Sequence, residues 1–357
     1  MNTPHERPAH RPQKVLVTGG GGFLGRAIVE RLVARGDEVR SFSRGDYPEL
    51  RKLGVDQRQG DLADADAVRA ACADRDVVMH VAGKPGVWGS IESFYQPNVR
   101  GTDHVLAACK DRGVGRLVYT SSPSVVFDGR DVEGGDESLP YPRRHKSHYG
   151  ATKALAEKHV LAANSEGLRT VALRPHLVWG PRDNHLVPRL VALAKAGRLR
   201  RIGAGRNRVD STYIDNAADA HVLAADALET NPAAAGRAYF VSNGEPIPVW
   251  ELIDRILAAA GLEPVRRSIS PTAARAIGGM LEFTHWLFRI QREPRMTRFV
   301  AGELSTSHWF NIAAARRELG YEPRVSIDEG LRRLGEWLKP PRPAAKPPQL
   351  EPVQQSE

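Results

Sequence analysis

The sequence predicts an α/β protein in which a doubly wound parallel sheet is followed by a smaller C-terminal lobe. From Lys14 onward, short β-branched apolar runs alternate with longer helical stretches, as expected for strands buried on both faces. A run of four glycines directly follows the first apolar run. The 357 residues are enough for two lobes and for a core that needs no disulfide or metal.

The alternation predicts five successive strands with helices between them. The strands are predicted at 14–18, 38–43, 76–81, 116–121 and 169–174. Two of the intervening helices, at 22–35 and 98–112, end at a glycine of the kind that terminates helices. Prolines and glycines interrupt the pattern beyond Pro175, but 238–242 again looks like a buried strand. Part of the second half is therefore expected to return to the sheet.

The most informative local motif runs from Val15 to Gly25 and combines a buried strand, a glycine turn and the start of a helix. Glycines allow a tight turn and let backbone N–H groups approach a pyrophosphate, which the helix N-terminus also attracts. A P-loop is excluded, because Arg26 and Ala27 follow where Lys and Ser or Thr are required. We predict a Rossmann-type domain that binds a dinucleotide. Its predicted contacts in this turn are Thr18, Gly19, Gly22, Phe23, Leu24 and Gly25.

The end of the second predicted strand indicates which dinucleotide binds. A carboxylate there would accept a hydrogen bond from a free ribose 2′-hydroxyl, whereas a cation would pair with a 2′-phosphate. Ser43 and Arg44 occupy this position, and the first carboxylate is Asp46. The sequence predicts that Ser43 and Arg44 bind the cofactor and that NADP(H) is preferred, with NAD(H) as the alternative.

An acid–base pair is predicted from Tyr149 and Lys153, which lie one turn apart on a helix. A phenol with a pKa of about 10 is a poor proton donor and acceptor at neutral pH, and a neighbouring ammonium is expected to lower that pKa. Ser122 follows the strand at 116–121, at the sheet edge where α/β proteins bind ligands. Ser122, Tyr149 and Lys153 are the predicted catalytic residues.

These motifs, in this order, resemble the extended short-chain dehydrogenase/reductases from 14 to about 338. Further landmarks of the resemblance are 60–62, 80–83, 98–102, 120–122 and 174–175. The resemblance implies an NAD(P)-dependent oxidoreductase acting on CH–OH groups, with Ser122 and Tyr149 at the reacting oxygen and Lys153 and Tyr149 at the nicotinamide ribose. It also implies cofactor contacts at Asp61 and Leu62 (adenine), Ala82 and Gly83 (phosphates and ribose), Asn98 and Pro175.

Two subgroups of this family share longer stretches with the chain. The segments 123–129, 174–176 and 186–188 resemble 3β-hydroxysteroid dehydrogenases and sterol-4α-carboxylate 3-dehydrogenases. The segments 47–50, 88–90, 213–216 and 242–246 resemble bacterial 2-alkyl-3-oxoalkanoate reductases of olefin biosynthesis more closely.

This second resemblance implies an enzyme that interconverts the 3-oxo and 3-hydroxy groups of a lipid-like substrate. The favoured substrate is a 2-alkyl-3-oxoalkanoate. The alternatives are a 3β-hydroxysteroid or sterol-4α-carboxylate 3-dehydrogenase, and a nucleotide-sugar epimerase or dehydratase.

The domain organisation follows from these motifs. We expect the dinucleotide-binding domain over 14–180 and a lobe that is mainly substrate-binding over 181–338. The segments 1–13 and 339–357 are expected to be disordered, because they are rich in proline and polar residues and poor in large apolar ones.

Charge and composition bound the partners. The 51 Lys and Arg residues exceed the 42 Asp and Glu residues by 9, but they are dispersed along the chain. This pattern favours an anionic small molecule or membrane surface over nucleic acid. His145 and His148 lack further metal-ligand residues nearby, so no metal site is predicted. Peripheral membrane contact and a homodimer stay open.

Localisation and two further features are also predicted from the sequence. The first 13 residues lack an apolar signal-peptide core, so we expect a cytoplasmic protein, with peripheral membrane contact as the alternative. The apolar helix at 274–290 is expected to be buried against the second lobe, or else to contact a membrane or cover a lipid chain. His176 either lines the substrate pocket or is a hydrogen-bonded core histidine.

Overall fold

The computed structural model describes residues 11–339 of the chain. The predicted disordered segments therefore lie outside the described residues, except for 11–13 and Lys339. Of these, Gln13 is hydrogen bonded, since its backbone N–H donates to Asp37 Oδ1 at 3.0 Å.

The described chain contains fifteen strands and thirteen α-helices. The strands are β1 (Lys14–Thr18), β2 (Glu38–Ser43), β3 (Asp56–Gln59), β4 (Val77–His80), β5 (Arg116–Thr120), β6 (Val132–Gly135), β7 (Arg169–Pro175), β8 (Val178–Trp179), β9 (Arg201–Ile202), β10 (Arg208–Val209), β11 (Thr212–Tyr213), β12 (Arg237–Val241), β13 (Ile247–Pro248), β14 (Ser268–Ile269) and β15 (His308–Phe310). The helices are α1 (Phe23–Arg35), α2 (Pro48–Lys52), α3 (Ala65–Ala71), α4 (Ile91–Tyr95), α5 (Gly101–Arg112), α6 (His148–Ala162), α7 (Leu186–Lys195), α8 (Ile214–Thr230), α9 (Val249–Ala259), α10 (Pro271–Leu287), α11 (Arg298–Glu303), α12 (Ala313–Leu319) and α13 (Ile327–Leu338).

Seven parallel strands form the main sheet in the order β12-β7-β5-β4-β1-β2-β3. The chain runs from β1 outward to β3 and then returns to β4 on the other side of β1. This reversal opens a crevice at the carboxyl ends of β1 and β4, where ligands of open α/β sheets bind. The predicted fold class, a Rossmann-type doubly wound sheet, is confirmed.

Strand β1 shows how apolar layers cover both faces of the sheet. Val15, Leu16 and Val17 are all fully buried. Val15 and Val17 belong to the core layer that contains apolar residues of α1 and α8, whereas Leu16 belongs to the layer with residues of α3, α5 and α6. Because successive side chains of a strand point to opposite faces, a continuous apolar run is what a doubly covered sheet requires.

The observed elements differ from the predicted ones where local pattern is weak. Strands β1 and β2 have the predicted bounds, and β12 occupies the position of the predicted returning strand. Strand β3 was not predicted, because its sequence, Asp-Gln-Arg-Gln, is polar, as an exposed edge strand permits. A π-helical turn at Gln96–Arg100 precedes α5, where the sequence predicted one regular helix.

The second half of the chain builds small sheets beside the main one. Strand β6 from the first half of the chain pairs with β15. The two belong to a four-stranded sheet with the strand order β13-β10-β15-β6. Two further pairs are β11-β8 and β14-β9. The pairing of β6 with β15 brings Phe310 into a cluster with Val125 and Phe240, beside the main sheet.

The apolar face of α10 is exposed to solvent, so the prediction that this helix is buried against the second lobe is wrong. Met280, Phe283, Trp286 and Phe288 have 61%, 57%, 69% and 72% of their surface exposed. The opposite face packs on α11, where the backbone of Thr297 leaves no room for a side chain at position 278. Within residues 11–339, no helix combines the length and the apolar character needed to cross a bilayer.

Candidate active site

The glycine turn has the geometry of a pyrophosphate cradle. Gly19 has a φ of +71°, and a Cβ on Gly25 would lie 2.1 Å from the Gly19 carbonyl oxygen. Helix α1 begins after Gly22, which has no side chain to cap it, and the first turn of the helix contains no acidic residue. The first N–H groups of α1 therefore lack an intrahelical partner and face the turn, as binding of an anionic phosphate requires.

Thr18 connects this turn to the loop after β4. Its hydroxyl oxygen accepts hydrogen bonds from the N–H groups of Val81 and Ala82, each at 3.1 Å. The hydroxyl must then donate its proton to His80 Nδ1, 2.8 Å away. Burial, and secondarily the charge of Lys153, lower the pKa of His80 to about 3, so this ring is neutral. These bonds fix the predicted cofactor contacts at Thr18 and Ala82 relative to each other.

Asn98 lies behind the same loop. Its Oδ1 accepts from the Lys84 N–H at 2.7 Å, and its Nδ2 donates to the Lys84 carbonyl at 3.2 Å and to Thr152 Oγ1 at 3.1 Å. The side chain is 1% exposed, and its oxygen lies 3.0 Å from where a Cβ on Gly83 would stand. In this structure Asn98 joins the loop that contains Gly83 to helix α6, and all of its polar groups bond to protein.

The predicted adenine and ribose contacts lie at the carboxyl ends of β2 and β3. Arg44 is exposed, and within the described chain its guanidinium makes no ion pair or hydrogen bond. Ser43 Oγ is 3.5 Å from the backbone nitrogen of Gly21. Asp61 is also exposed, whereas Leu62 is 7% exposed and belongs to the core layer on α5.

Ser122 and Tyr149 line one cavity of about 220 Å³ at the end of the sheet. Ser122 Oγ accepts from the backbone N–H of Ser124 at 3.2 Å and from its hydroxyl at 3.0 Å. With both acceptor positions used, the single Ser122 proton is directed to Tyr149, and it is the one donor that this hydroxyl can offer to an oxygen in the cavity. Burial raises the pKa of Tyr149, while the hydrogen bond from Ser122 lowers it.

The cavity is largely apolar and reaches from the β4 loop to α11. Its lining residues are Pro85, Gly86, Val87, Ser122, Pro123, Ser124, Phe127, Tyr149, Pro175, His176, Leu177, Phe299, Glu303, His308 and Phe310. The predicted cofactor contact Pro175 is among them. A larger open groove of about 750 Å³ lies at the β3 edge and contains none of the predicted site residues.

Lys153 lies on α6 one turn after Tyr149, and its ammonium is buried. It is 5% exposed, and its ammonium donates to the Thr120 carbonyl at 2.5 Å. Burial lowers the pKa of Lys153 to about 7. Burial raises the pKa of Tyr149 and the Lys153 ammonium is bonded to the Thr120 carbonyl, so the lowering of the Tyr149 pKa by Lys153 stays a prediction.

His176 satisfies both of its predicted alternatives, since it lines the cavity and is fully hydrogen bonded. Its Nδ1 is 2.5 Å from Asp210 Oδ1, and the ring is 7% exposed. His176 has two partners, Asp210 and His308, which the sequence did not reveal because they lie 34 and 132 residues away in the chain.

The chain is similar to known proteins over most of its length. The chain matches the 3-beta hydroxysteroid dehydrogenase/isomerase family over residues 16–270. It is 54% identical over 323 residues to a 2-alkyl-3-oxoalkanoate reductase of Stenotrophomonas maltophilia (strain K279a), an alignment that covers 90% of this chain and 98% of the relative. It is 35% identical over 332 residues to the Homo sapiens sterol-4-alpha-carboxylate 3-dehydrogenase, decarboxylating, covering 91% and 88%.

A solved structure gives the same result for the fold. UDP-glucose 4-epimerase of Thermus thermophilus, in complex with NAD, superposes with a TM-score of 0.70 at 28% identity, covering 91% of this chain and 98% of that one. The resemblance predicted from the motifs is thereby confirmed. The chain belongs to the 3-beta hydroxysteroid dehydrogenase/isomerase family.

Proposed function

We propose that the protein is an NADP(H)-dependent reductase of 2-alkyl-3-oxoalkanoates, lipid-like β-oxo acids. The observation that carries this proposal is that Ser122 and Tyr149 line the same apolar cavity, at the end of the sheet that bears the glycine turn. The 54% identity to a 2-alkyl-3-oxoalkanoate reductase supports the substrate class.

Each catalytic side chain has a separate task in this reaction. When bound, the nicotinamide would supply the hydride to the carbonyl carbon. Ser122 donates its hydroxyl proton in a hydrogen bond to the carbonyl oxygen, because its acceptor positions are already used by Ser124. Tyr149 transfers its phenolic proton to the same oxygen, and its raised pKa keeps that proton in place until reduction begins. Lys153 would hold the nicotinamide ribose when the cofactor is bound.

The preference for NADP(H) rests on Arg44. Its guanidinium is exposed at the carboxyl end of β2 and has no partner in the described chain. An unpaired guanidinium at this position matches the 2′-phosphate of NADP(H), and bidentate pairing with phosphate is the strongest use of arginine.

Enzyme assays separate this function from its alternatives. We expect rapid NADPH oxidation with a long-chain 2-alkyl-3-oxoalkanoate. Oxidation of a 3β-hydroxysteroid or a sterol-4α-carboxylate with NADP⁺ or NAD⁺ should have a lower kcat/KM than this reduction. Sugar nucleotides should give neither net oxidation nor reduction of added cofactor, nor an epimerised product. Preferential turnover of a steroid or of a sugar nucleotide would refute the proposal.

Contact with an anionic membrane is a further part of this proposal. The α10 face is the exposed apolar surface formed by Ile277, Met280, Phe283, Trp286 and Leu287 of α10 together with Phe288, the residue that follows the helix. Next to it, Arg275, Arg289, Arg292 and Arg295 are exposed and have no ion-pair partner within residues 11–339. Apolar side chains beside unpaired cations suit insertion into anionic lipid.

The α10 face is also connected to the substrate cavity. Helix α10 packs on α11, and Phe299 and Glu303 of α11 line the cavity beside Tyr149. A lipid substrate could therefore pass from a bound membrane to the cavity along one helix pair.

A further inference from the structure

One wall of the substrate cavity is a loop that is hydrogen bonded to the connection between α10 and α11. Residues 85–87, in the loop after β4, line the cavity. The Val87 N–H donates to Glu293 Oε2 at 3.3 Å. Trp88 Nε1 donates to the Ile290 carbonyl at 3.1 Å. The latch consists of these two hydrogen bonds, and it joins the cavity loop to the α10–α11 connection (288–297).

Glu293 is held in place by a second partner in the C-terminal half of the chain. Its Oε1 forms an ion pair with Arg189 of α7. Arg189 also donates to the Arg295 carbonyl at 3.2 Å, which fixes the guanidinium against the same connection. The other oxygen of Glu293 faces the cavity loop, where it would lie 3.2 Å from a Cβ on Gly86. Glu293 thus connects α7 to the wall of the cavity.

Glycines flank the part of the loop that the latch holds. Gly86 and Gly89, which lie on either side of Val87 and Trp88, have φ values of +101° and +134°. Glycine adopts such conformations without steric cost, and small residues are common at hinges. The Gly89 carbonyl is fixed, since it lies 3.1 Å from His148 Nδ1. The latch therefore determines the position of the short segment before this fixed point.

The cavity is too small for a 2-alkyl-3-oxoalkanoate with long chains. A cavity of about 150 Å³ holds one benzene molecule, with its six carbon atoms. The cavity beside Tyr149 has a volume of about 220 Å³, which on this scale accommodates about nine non-hydrogen atoms. The carboxylate, the next two carbons and the oxo oxygen take up about six of these places. Most of both alkyl chains must therefore leave the cavity.

Burial of the walls indicates where the chains leave. One end of the cavity is closed by buried side chains of the core, namely Phe127, His176, His308 and Phe310. At the sheet edge, Ser122 and Tyr149 face the position of the reacting carbonyl. The remaining side, formed by residues 85–87 and by Phe299 and Glu303 of α11, is exposed or partly exposed. The way out on this side runs between the loop and the α10–α11 connection, where the latch lies.

We propose that the alkyl chains of the substrate leave the cavity between the segment 86–88 and the α10–α11 connection, and that Glu293 and Trp88 must release the loop to let them pass. The inference rests on the proposed function, because a substrate without long chains needs no exit. Trp88 contacts His285 edge-on, with ring centroids 5.8 Å apart, so the exit opens beside the end of α10 and its exposed apolar face.

The closed latch makes the two residues determinants of chain length. If the state that admits a long chain is only partly populated, the apparent affinity for long chains falls by that fraction. A short substrate that fits within the cavity does not pay this cost. Weakening of the latch should therefore favour long substrates over short ones, whereas a general loss of structure would reduce the activity on both.

Two conservative variants test the latch on a pair of stable acids. Glu293→Gln retains one acceptor oxygen, so it can bond to Arg189 or to the Val87 N–H but not to both. Trp88→Phe keeps an aromatic ring but loses the donor to Ile290. The enzyme oxidises 2-hexyl-3-hydroxydecanoate or 2-methyl-3-hydroxybutanoate with NADP⁺, and the readout is the long-to-short ratio of kcat/KM.

Each variant should raise this ratio at least about threefold, as expected for loss of one hydrogen bond across the exit. Glu336→Gln and Trp337→Phe are matched controls, because both residues lie on α13, which contributes nothing to the cavity lining. Glu336 is also ion-paired to an arginine, Arg332. The controls should leave the ratio unchanged.

The outcomes separate this inference from the function on which it rests. If the wild type oxidises neither acid, the proposed function fails and the exit fails with it. If the wild type oxidises both acids but either folded latch variant leaves the ratio unchanged or lowers it, the function stands and the exit is refuted. A wild type that oxidises the short acid alone also refutes the exit. Should Glu293→Gln fail to fold, the Trp88→Phe result decides.

Discussion

The ammonium nitrogen of Lys153 lies 4.0 Å from the centre of the Tyr119 ring. Tyr119 is fully buried, so the charged group is held against an aromatic face and away from water. A cation over a ring is stabilised by the ring quadrupole, but this gain is smaller than the hydration it replaces. The lowered pKa of Lys153, about 7, is the result.

Replacement of Lys153 by Met should stabilise the protein and abolish most of its activity. Below pH 7 the amine is protonated in both the folded and the unfolded chain. The folded protein is then destabilised by the full free energy of burying the charge. Between about pH 7 and the unfolded pKa of about 10.5, the unfolded chain binds more protons, and stability from this residue rises with pH. Lys153→Met should therefore raise Tm most at pH 6, with a smaller difference at pH 9.

Thermal unfolding at the two pH values checks this sign. Lys158→Met serves as the control, because Lys158 is exposed on the same helix. A lower Tm for Lys153→Met at pH 6 would contradict the expected destabilisation by the buried charge.

The Tyr149→Phe variant should lose kcat by about 10²- to 10⁴-fold, the range typical for removal of a positioned acid. Most of the predicted cofactor contacts lie in the glycine turn and at the ends of β2 to β4, so the Kd of the cofactor should change little. Tyr95→Phe, in α4, is a matched control. Turnover near that of the wild type would remove Tyr149 from the reaction.

The sequence predicted the parts of the site that depend on local pattern. Neighbouring residues in the chain encode the strand, turn and helix from Val15 to Gly25, and the structure has β1, the glycine turn and α1 there. They also encode the spacing of Tyr149 and Lys153, which both lie on α6. The His176–His308 contact was not predictable, because 132 residues separate the two histidines. Periodicity also identifies an apolar helix face without identifying what covers it, which is why burial of α10 was predicted wrongly.

A methyl group at Gly25 should disrupt the glycine turn. The Cβ of Gly25→Ala would stand 2.1 Å from the Gly19 carbonyl oxygen and 3.0 Å from Gly20 Cα, both backbone atoms that cannot rotate away. We expect a loss of about 1–3 kcal/mol in the free energy of unfolding and loss of cofactor binding. Urea unfolding and cofactor titration measure both. Gly167→Ala, where nothing lies within 4 Å, should be nearly neutral.

Removal of the Arg44 side chain should change the choice of cofactor. Arg44→Ala should raise the Kd of NADPH about tenfold or more, because one charge-assisted contact to the 2′-phosphate is lost. The Kd of NADH, which has no 2′-phosphate, should stay within about twofold. Fluorescence titration with both nucleotides gives the ratio, and Arg130→Ala, whose side chain is 87% exposed, is the control. An unchanged ratio would show that Arg44 does not contact the phosphate.

The double variant Trp286→Ser/Phe288→Ser should weaken binding to anionic membranes. These two side chains are the most exposed apolar groups of the α10 face. Replacing each of them by serine removes a large apolar area that would otherwise insert into lipid. Wild-type protein should sediment with vesicles that contain anionic lipid, less so at high salt or with neutral lipid, and the double variant should stay in the supernatant. Trp337→Ser, which removes an exposed tryptophan from α13, should bind as the wild type does. Wild-type protein that remains in the supernatant at low salt would exclude the α10 face as a membrane contact.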